Sequence, residues 1–174
     1  MGRFVGLVAG IGPATHARMS MADLRAGCEA EGLAEVRTVL ATGNVLCRAA
    51  LHEADVVAVL RRVLARFGVG RAVYARTVDE LAAVAEANPS ADAARLGPSR
   101  LLVHFLATPC AAGPARDGPE RIAVRGREAL LDYRDGVGGS RLTGAALNRL
   151  LGQPGPARSW NTLGRLVAAG RADA

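Results

Sequence analysis

Apolar and polar positions alternate along the chain with two periods, about two residues in some segments and about 3.6 residues in others. Residues 3–9 show the shorter period and predict a strand. After a glycine-containing loop, Ser20 with Asp23 three positions later predicts the capped start of a helix. This helix runs to about Glu31, and Gly32 ends it. The chain therefore opens with a strand followed by a helix.

The next segments predict a hairpin, a long helix and a further strand. Residues 53–67 form the clearest helix, because their apolar residues recur at three- and four-residue spacings and Gly68 follows them. The other elements of this stretch are a strand at 36–41, a tight turn at 42–44, a strand at 45–48 and a strand at 69–75. Residues 1–77 thus have the order β-α-β-β-α-β, which is typical of the split-βαβ arrangement.

Residues 78–174 predict a second α+β half that repeats the first only loosely. Its elements are a helix capped by Thr77 and Glu80 and ending near Ala87, a break at 88–90, a loop at 90–99, a strand at 100–107, a Gly/Pro-rich connection at 109–119, strands at 120–124 and 128–133, a Gly-rich loop at 135–140, a helix at 143–151, a break at 153–157 and a short helix at 162–169. We expect the two halves to form one compact unit.

Several of these segments resemble a known protein family. The matching stretches are residues 7–12, 21–24, 36–38, 42–45 and 158–166. Together they are similar to the domain-of-unknown-function family 1697, a set of mostly bacterial proteins. The resemblance implies an α+β fold of two ferredoxin-like (split βαβ) halves joined sheet to sheet, with antiparallel-rich sheets and helices packed on them. It implies no established activity. Ala9 and Gly12 stand where the family usually carries Arg and Asn.

The charge of the chain leaves a polyanionic partner open. The net charge is +6 and the isoelectric point is about 10.5, which taken alone points to nucleic acid. All 22 basic residues are arginines, however, and they are scattered, with Arg61 and Arg62 the one adjacent pair. Alanine is also abundant, as in proteins of GC-rich genomes. Most of the arginines therefore read as solvated surface residues.

The cysteines and the apolar runs indicate an intracellular chain. Cys28, Cys47 and Cys110 are an odd number, far apart and without a CxxC pair, so we expect three reduced, unpaired thiols. The apolar stretch at the N-terminus is too short for a signal peptide. No apolar run reaches the length of a membrane span. We expect a cytoplasmic protein without a membrane partner.

No catalytic motif is recognisable in the sequence. His16, His52 and His104 lie far apart, and none has a further ligand at metal-binding spacing. Asp132 and Asp135 flank a strand end without the arrangement of a carboxylate pair. The sequence therefore favours a protein that is not an enzyme and predicts no cofactor and no metal.

Two glycine-containing loops are candidate anion sites. The loop around Gly10 lacks a complete phosphate-binding motif and reads as a turn. The better candidate is the loop with Gly138, Gly139, Ser140 and Arg141, which follows a strand and precedes a helix. Arg141 would add a bidentate contact to an anion, through two N–H groups of its guanidinium. The alternative is a flexible connector, since a cap at Thr143 already explains the helix start.

The segment around the single tryptophan is the most distinctive part of the chain. A nucleobase would stack on an exposed Trp160 while Arg158 and Arg165 take phosphates, with Asn161 beside them. The alternative is that Trp160 anchors the last helix and Asn161 or Thr162 caps it. Asn44 in the turn 42–44 is a further candidate binding residue, with a hairpin turn as the simpler reading.

Two classes of function remain open on these grounds. The first is a non-catalytic binding module for a polyanion, such as nucleic acid or a nucleotide, that uses the arginines and Trp160 of the last third. The second is a structural or protein-interaction domain, with a homo-oligomer such as a homodimer as one form. In the second class the same residues only stabilise the fold.

Overall fold

The computed structural model describes residues 1–110, 116–117 and 119–172, and the chain divides into two units. The first unit comprises residues 1–82 together with 165–172, and the second comprises residues 83–164. The sequence analysis had placed a boundary after residue 77 and had assigned the terminal helix to the second half. The structure instead groups most of that helix with the first unit. The described residues form an α+β fold, as expected.

The first unit contains one antiparallel sheet of four strands in the order β2-β3-β1-β4. Its elements are β1 (Gly2–Val8), α1 (Pro13–His16), α2 (Met21–Ala30), β2 (Ala34–Thr38), β3 (Asn44–Ala49), α3 (Glu53–Arg66), β4 (Val73–Thr77) and α4 (Val78–Glu86), the last of which crosses the unit boundary. Apart from the short α1, this is the predicted order. The strands predicted at 36–41 and 69–75 are displaced by a few residues.

Helices α2 and α3 begin and end within one residue of the positions predicted from the sequence. The Ser20 hydroxyl accepts a hydrogen bond from the Asp23 N–H at 3.1 Å, and the Asp23 carboxylate accepts one from the Ser20 N–H at 2.9 Å. This reciprocal cap satisfies two donors that the helix itself leaves open. Gly32 and Gly68, both with positive φ, follow α2 and α3 and allow the chain to turn away.

The core of the first unit lies between the sheet and helices α2 and α3. Buried residues of the two helices pack against Phe4, Val8 and Val45 on one face of the sheet; they are Leu24, Cys28, Val56, Val59, Leu60, Val63 and Leu64. The contact is close: a Cβ added to Gly6 would lie 2.4 Å from Cδ1 of Leu60. The face predicted for helix 53–67 is therefore correct, with Phe67 partly buried at its end.

The second unit contains an antiparallel sheet in the order β6-β7-β8-β5-β9, in which β6 has only two residues. Its elements are α5 (Ala91–Leu96), β5 (Leu101–Phe105), β6 (Arg116–Asp117), β7 (Glu120–Arg125), β8 (Glu128–Tyr133), a 3₁₀ turn (Val137–Gly139), α6 (Gly144–Leu151), β9 (Ala157–Ser159) and the first turn of α7 (Trp160–Arg171). Without β6, its strand order matches that of the first sheet. Leu147 and Leu151 of α6 pack on Ile122, Leu131 and Tyr133.

Two predictions for the second unit are wrong, and both failures have a local cause. Residues 91–96 form a helix where a loop was predicted, and the helix buries no residue, so it leaves no apolar period in the sequence. Residues 157–159 form a short strand, whereas the sequence predicted a break at 153–157 and no element at 158–159, because two prolines and a glycine directly precede the strand. The predicted connection 109–119 lies mostly outside the described residues.

Candidate functional site

Three strand ends of the second unit lie together at one end of its sheet. Leu101 pairs with Asp132, and Leu102 pairs with Ser159. The start of β5, the end of β8 and the end of β9 therefore lie at the same end of the sheet. The residues just beyond these ends are Arg100, Arg134 and Trp160. Two arginines and the single tryptophan thus leave the sheet at the same end.

A cleft of about 420 Å³ opens beside this end of the sheet, and arginines line it. Arg100 and Arg134 come from the strand ends, and Arg121 comes from β7. Helix α5 and its flanking residues form the opposite wall, with Ser90 and Leu96 among the lining residues. We call this the arginine cleft. It lies wholly within the second unit.

Backbone contacts hold the two strand-end arginines in place. Arg100 Nη1 donates to the carbonyl oxygen of Arg134 at 2.6 Å. In return, the N–H of Tyr133 donates to the carbonyl oxygen of Arg100 at 3.0 Å. These bonds join the entry to β5 with the exit from β8. The guanidinium of Arg100 is therefore fixed next to residue 134 rather than free in solvent.

A buried carboxylate stands beside the arginines. Asp132 is 9% exposed and lies directly opposite Arg121 in the register of β7 and β8. Asp92, also on the lining, lies 3.4 Å from the guanidinium of Arg95 on the same helix. The lining of the cleft thus combines the three arginines with the buried carboxylate of Asp132 and with Asp92. Guanidinium groups bind phosphate oxygens, and a carboxylate accepts bonds from hydroxyl or amino groups.

The predicted Gly-rich loop lies against a carboxylate. Gly138 and Gly139 are exposed in the 3₁₀ turn, and the Ser140 hydroxyl donates to the buried carboxylate of Glu120. The Leu142 N–H in turn donates to Ser140 Oγ at 2.9 Å. Arg141 is exposed on a separate cleft of about 370 Å³ that Glu120 also lines. Carboxylates line both clefts, but three arginines line the arginine cleft and only Arg141 lines this one, so the loop has less support as an anion site.

The residues predicted around the tryptophan differ in their exposure. Arg158 is 9% exposed, lies opposite Val103, and donates to the carbonyl oxygen of Ala157 at 3.0 Å. Burial lowers its pKa to about 10. Trp160 is half-buried and Asn161 is exposed. Arg165 is exposed on the part of α7 that belongs to the first unit. The binding role of these residues stays a prediction.

The capping residue of the last helix lies two residues before Asn161, the nearer of the two predicted candidates. The Thr162 N–H donates to Ser159 Oγ at 3.3 Å, and the two hydroxyl oxygens lie 3.1 Å apart. Ser159 is therefore the capping residue, in place of Asn161 or Thr162. Trp160 stands in the first turn that this cap stabilises.

Asn44 is used inside the turn in which it was predicted. Its side chain is fully buried, and Nδ2 donates to the Val39 carbonyl oxygen at 2.9 Å and to Thr42 Oγ1 at 3.0 Å. These bonds close the β2–β3 connection, in which Gly43 has a positive φ. They account for the asparagine structurally, and a binding role for it stays a prediction.

The second unit also buries an imidazole. His104 is 3% exposed, and neither ring nitrogen has a hydrogen-bond partner among the described residues. Burial lowers the pKa of His104 to about 4, so the ring is neutral at neutral pH. A neutral imidazole in an apolar setting costs less than a charged one but still leaves a donor unsatisfied.

Two of the three arginines of the arginine cleft were not predicted as binding residues. Arg134 lies in the last third of the chain, whose arginines were the candidates, but Arg100 and Arg121 come earlier in the chain. Only the strand register brings them together. In the part of the chain that the structure describes, no group of three or more metal-ligating side chains occurs, and no helix is long and apolar enough to cross a membrane.

Comparison with known proteins gives a family and a fold. The family model described as protein of unknown function, DUF1697, matches residues 1–129. The segment 158–166, which also suggested this family, lies beyond the match. A solved structure of a conserved bacterial protein from Streptococcus pneumoniae is similar over 98% of this chain and 99% of that chain, with a TM-score of 0.69 and 14% sequence identity. No curated protein matches the sequence.

Proposed function

This chain belongs to the DUF1697 family of proteins of unknown function, and we propose that it is a non-catalytic binding module for a phosphorylated ligand of nucleotide size. The arginine cleft is the proposed site. The observation that carries the proposal is that Arg100, Arg121 and Arg134 line one cleft beside the buried Asp132. For the predicted polyanion partner, this cleft is a more definite candidate site than the segment around Trp160 alone.

The charges of the cleft favour a ligand with a phosphate group at one end. Three guanidinium groups supply several N–H donors in the planar geometry that suits phosphate oxygens. Asp132 accepts hydrogen bonds, as a phosphate does, so it cannot bind the phosphate itself and competes with it for any guanidinium group that both can reach. It suits a hydroxyl or amino group elsewhere on the ligand. A nucleotide carries both kinds of group.

The size of the cleft agrees with such a ligand. Small-molecule sites usually measure roughly 300–1,000 Å³, and this cleft has about 420 Å³. Trp160 leaves the sheet at the same end, which supports a base-stacking role for it. A single-stranded nucleic acid would use the same groups, with further phosphates outside the cleft.

We also propose that the fold consists of two ferredoxin-like (split βαβ) arrangements, one in each unit. The element order of the first unit and its strand order β2-β3-β1-β4 support a ferredoxin-like (split βαβ) arrangement. The order β7-β8-β5-β9 supports a related arrangement in the second unit. A cytoplasmic location also remains a proposal, and the three unpaired cysteines support it.

Calorimetric titration with adenosine monophosphate tests the proposed site. We expect saturable binding that Arg134→Gln and Arg121→Gln each weaken by about tenfold or more, because each change removes a charge-assisted contact. Arg125→Gln is the matched control, since Arg125 is exposed on the same sheet but does not line the cleft. Adenosine without phosphate should bind much more weakly.

The alternative function gives different results in the same experiment. A structural or protein-interaction domain predicts no saturable heat with the nucleotide or with a single-stranded oligonucleotide at low salt. It also allows a concentration-dependent homodimer in sedimentation. If the oligonucleotide binds with a steep salt dependence and the nucleotide does not, the ligand is nucleic acid. Equal binding by Arg134→Gln and wild type would remove the arginine cleft as the site.

A further inference from the structure

A second, smaller cleft lies in the first unit, next to α1. It measures about 260 Å³ and lies wholly within residues 1–82. Its two charged lining residues are Arg18, which follows α1, and Arg71, which precedes β4. The remaining lining residues are small or apolar; they are Ala14, Thr15, Gly68, Val69 and Gly70. We call this the α1 cleft.

One arginine of the α1 cleft is held by the opposite wall. Arg18 Nη1 donates to the carbonyl oxygen of Gly68 at 3.1 Å. Gly68 has a φ of +65°, which turns the chain after α3. One nitrogen of the guanidinium is thus engaged in positioning the group, which leaves its other N–H donors for a ligand.

The side chain of the other arginine, Arg71, lies beside Gly10. A Cβ built on Gly10 would stand 3.6 Å from Nη1, 3.7 Å from Cζ and 3.8 Å from Nε of Arg71. The guanidinium group therefore borders the space that a side chain at residue 10 would need. Among the described residues, the guanidinium group of Arg71 makes no hydrogen bond or ion pair, and only its backbone N–H is bonded, to the carbonyl oxygen of Val69 at 3.2 Å. The donors of the guanidinium group are therefore not used within the described part of the protein.

Among the described residues, no carboxylate lines the α1 cleft. In this respect it differs from the arginine cleft and from the cleft beside Glu120. The uncharged polar side chain on its lining is that of Thr15, a buried residue whose hydroxyl either donates or accepts. Gly68 and Gly70 carry no side chain, so the main chain can come close to a ligand. The described lining therefore combines two positive charges with no negative one.

We propose that the α1 cleft binds a phosphate group, either as inorganic phosphate or at the end of a small phosphate monoester. Two guanidinium groups from different chain segments and a hydroxyl match the three free oxygens of a monoester. A carboxylate offers only two oxygens in one plane. The volume holds one phosphate and a few further atoms. This site does not depend on the nucleotide site of the second unit.

Chemical-shift titration of the ¹⁵N-labelled protein tests this site. The probes are inorganic phosphate and glycerol phosphate, with glycerol and sodium chloride at equal ionic strength as negative probes. We expect saturable shifts at the Gly68 and Gly70 amides with both phosphates. Arg71→Gln should weaken binding by about tenfold or more through the loss of charge-assisted contacts. Saturation by the ester alone would identify the monoester as the ligand.

Two further variants keep the test decisive. Arg25→Gln is the matched control, because Arg25 is exposed on α2 and does not line the cleft. Arg134→Gln should leave these shifts unchanged, which separates the α1 cleft from the arginine cleft. Arg71 is exposed, so its substitution should not unfold the chain. Shifts that do not saturate, or equal affinities in wild type and Arg71→Gln, would overturn the proposal.

Discussion

The two units share a strand order but differ in what they bury. In both, four strands follow the order seen as β2-β3-β1-β4 and as β7-β8-β5-β9. In the described residues of the first unit, one charged side chain is buried, that of Arg76, and helices α2 and α3 cover the sheet with apolar residues. The second unit buries His104, Glu120, Asp132 and Arg158.

This difference shows that one sheet topology supports two kinds of interior. Arg76 in the first unit has defined contacts, at 2.6 Å to the Ala75 carbonyl oxygen and at 3.7 Å to Glu53. The second unit has a single long helix on its apolar core, α6, and leaves an imidazole without a partner. Buried ionisable groups cost stability and recur at functional sites. The comparison therefore places the main candidate site in the second unit.

The largest expected effect is the loss of apolar packing in the first unit. Leu60→Ala removes a fully buried side chain that touches Gly6. We expect it to lower the free energy of unfolding by about 2–5 kcal/mol. Urea unfolding measures this, with Ala65→Gly on the exposed face of α3 as a control that should cost about 1 kcal/mol. A cost near zero for Leu60→Ala would contradict the core assignment.

The next effect concerns pH and the second unit. The pKa of His104 is about 4 in the folded chain and 6.5 in the unperturbed group. Between these values the unfolded chain binds more protons, so stability should fall as the pH falls from 6.5 toward 4. The full loss is about 3 kcal/mol. Above pH 6.5 this contribution is constant.

The pH effect is measured by urea unfolding at a series of pH values. His104→Leu should flatten the curve between pH 4 and 6.5, because no ionisable group remains at this position. The same slope in wild type and His104→Leu would contradict the assignment to His104.

A smaller effect separates two glycines of the second unit. A Cβ added at Gly155 would lie 1.9 Å from the carbonyl oxygen of Phe105, whereas one at Gly139 meets no atom within 4 Å. We expect Gly155→Ala to cost about 1–3 kcal/mol, because backbone must shift. Gly139→Ala should change stability by less than about 0.5 kcal/mol. Thermal unfolding measures the stability of both variants. Equal losses of stability would show that the backbone near Gly155 shifts without cost and would contradict this prediction.

The smallest expected effect distinguishes the thiols. Cys28 and Cys47 are buried in the first unit, where burial raises the pKa of each to about 12, and Cys110 is partly buried in the second. In the native protein Cys110 should react first with a thiol reagent, because thiolate is the reactive form. In denaturant without reductant, three thiols per chain should react, in agreement with the free cysteines. A count of one would reveal a disulfide.

The sequence predicted the first unit better than the second, for physical reasons. Ser20, Gly32, Glu53 and Gly68 mark helix ends through local chemistry that the sequence shows directly. Helix α5 and strand β9 bury little and lie among prolines and glycines, so periodicity could not reveal them. The resemblance to the DUF1697 family is confirmed by the family model.

The candidate site was predicted only in part. The arginines of the last third were the predicted binding residues, and one arginine of that segment, Arg134, lines the arginine cleft. Arg100 and Arg121 meet Arg134 only because β5 and β7 both pair with β8, which is a long-range property. The burial of Arg158 likewise depends on the pairing of β9 with β5. Sequence spacing carries no information about such contacts.

The most direct test of the central claim is the affinity of adenosine monophosphate for wild type, Arg134→Gln and Arg125→Gln, measured side by side by calorimetry. If the arginine cleft of the second unit is the binding site, wild type and Arg125→Gln bind with equal affinity, and the affinity of Arg134→Gln is lower by about tenfold or more. Absence of saturable binding in wild type, or equal affinity in all three proteins, would contradict it.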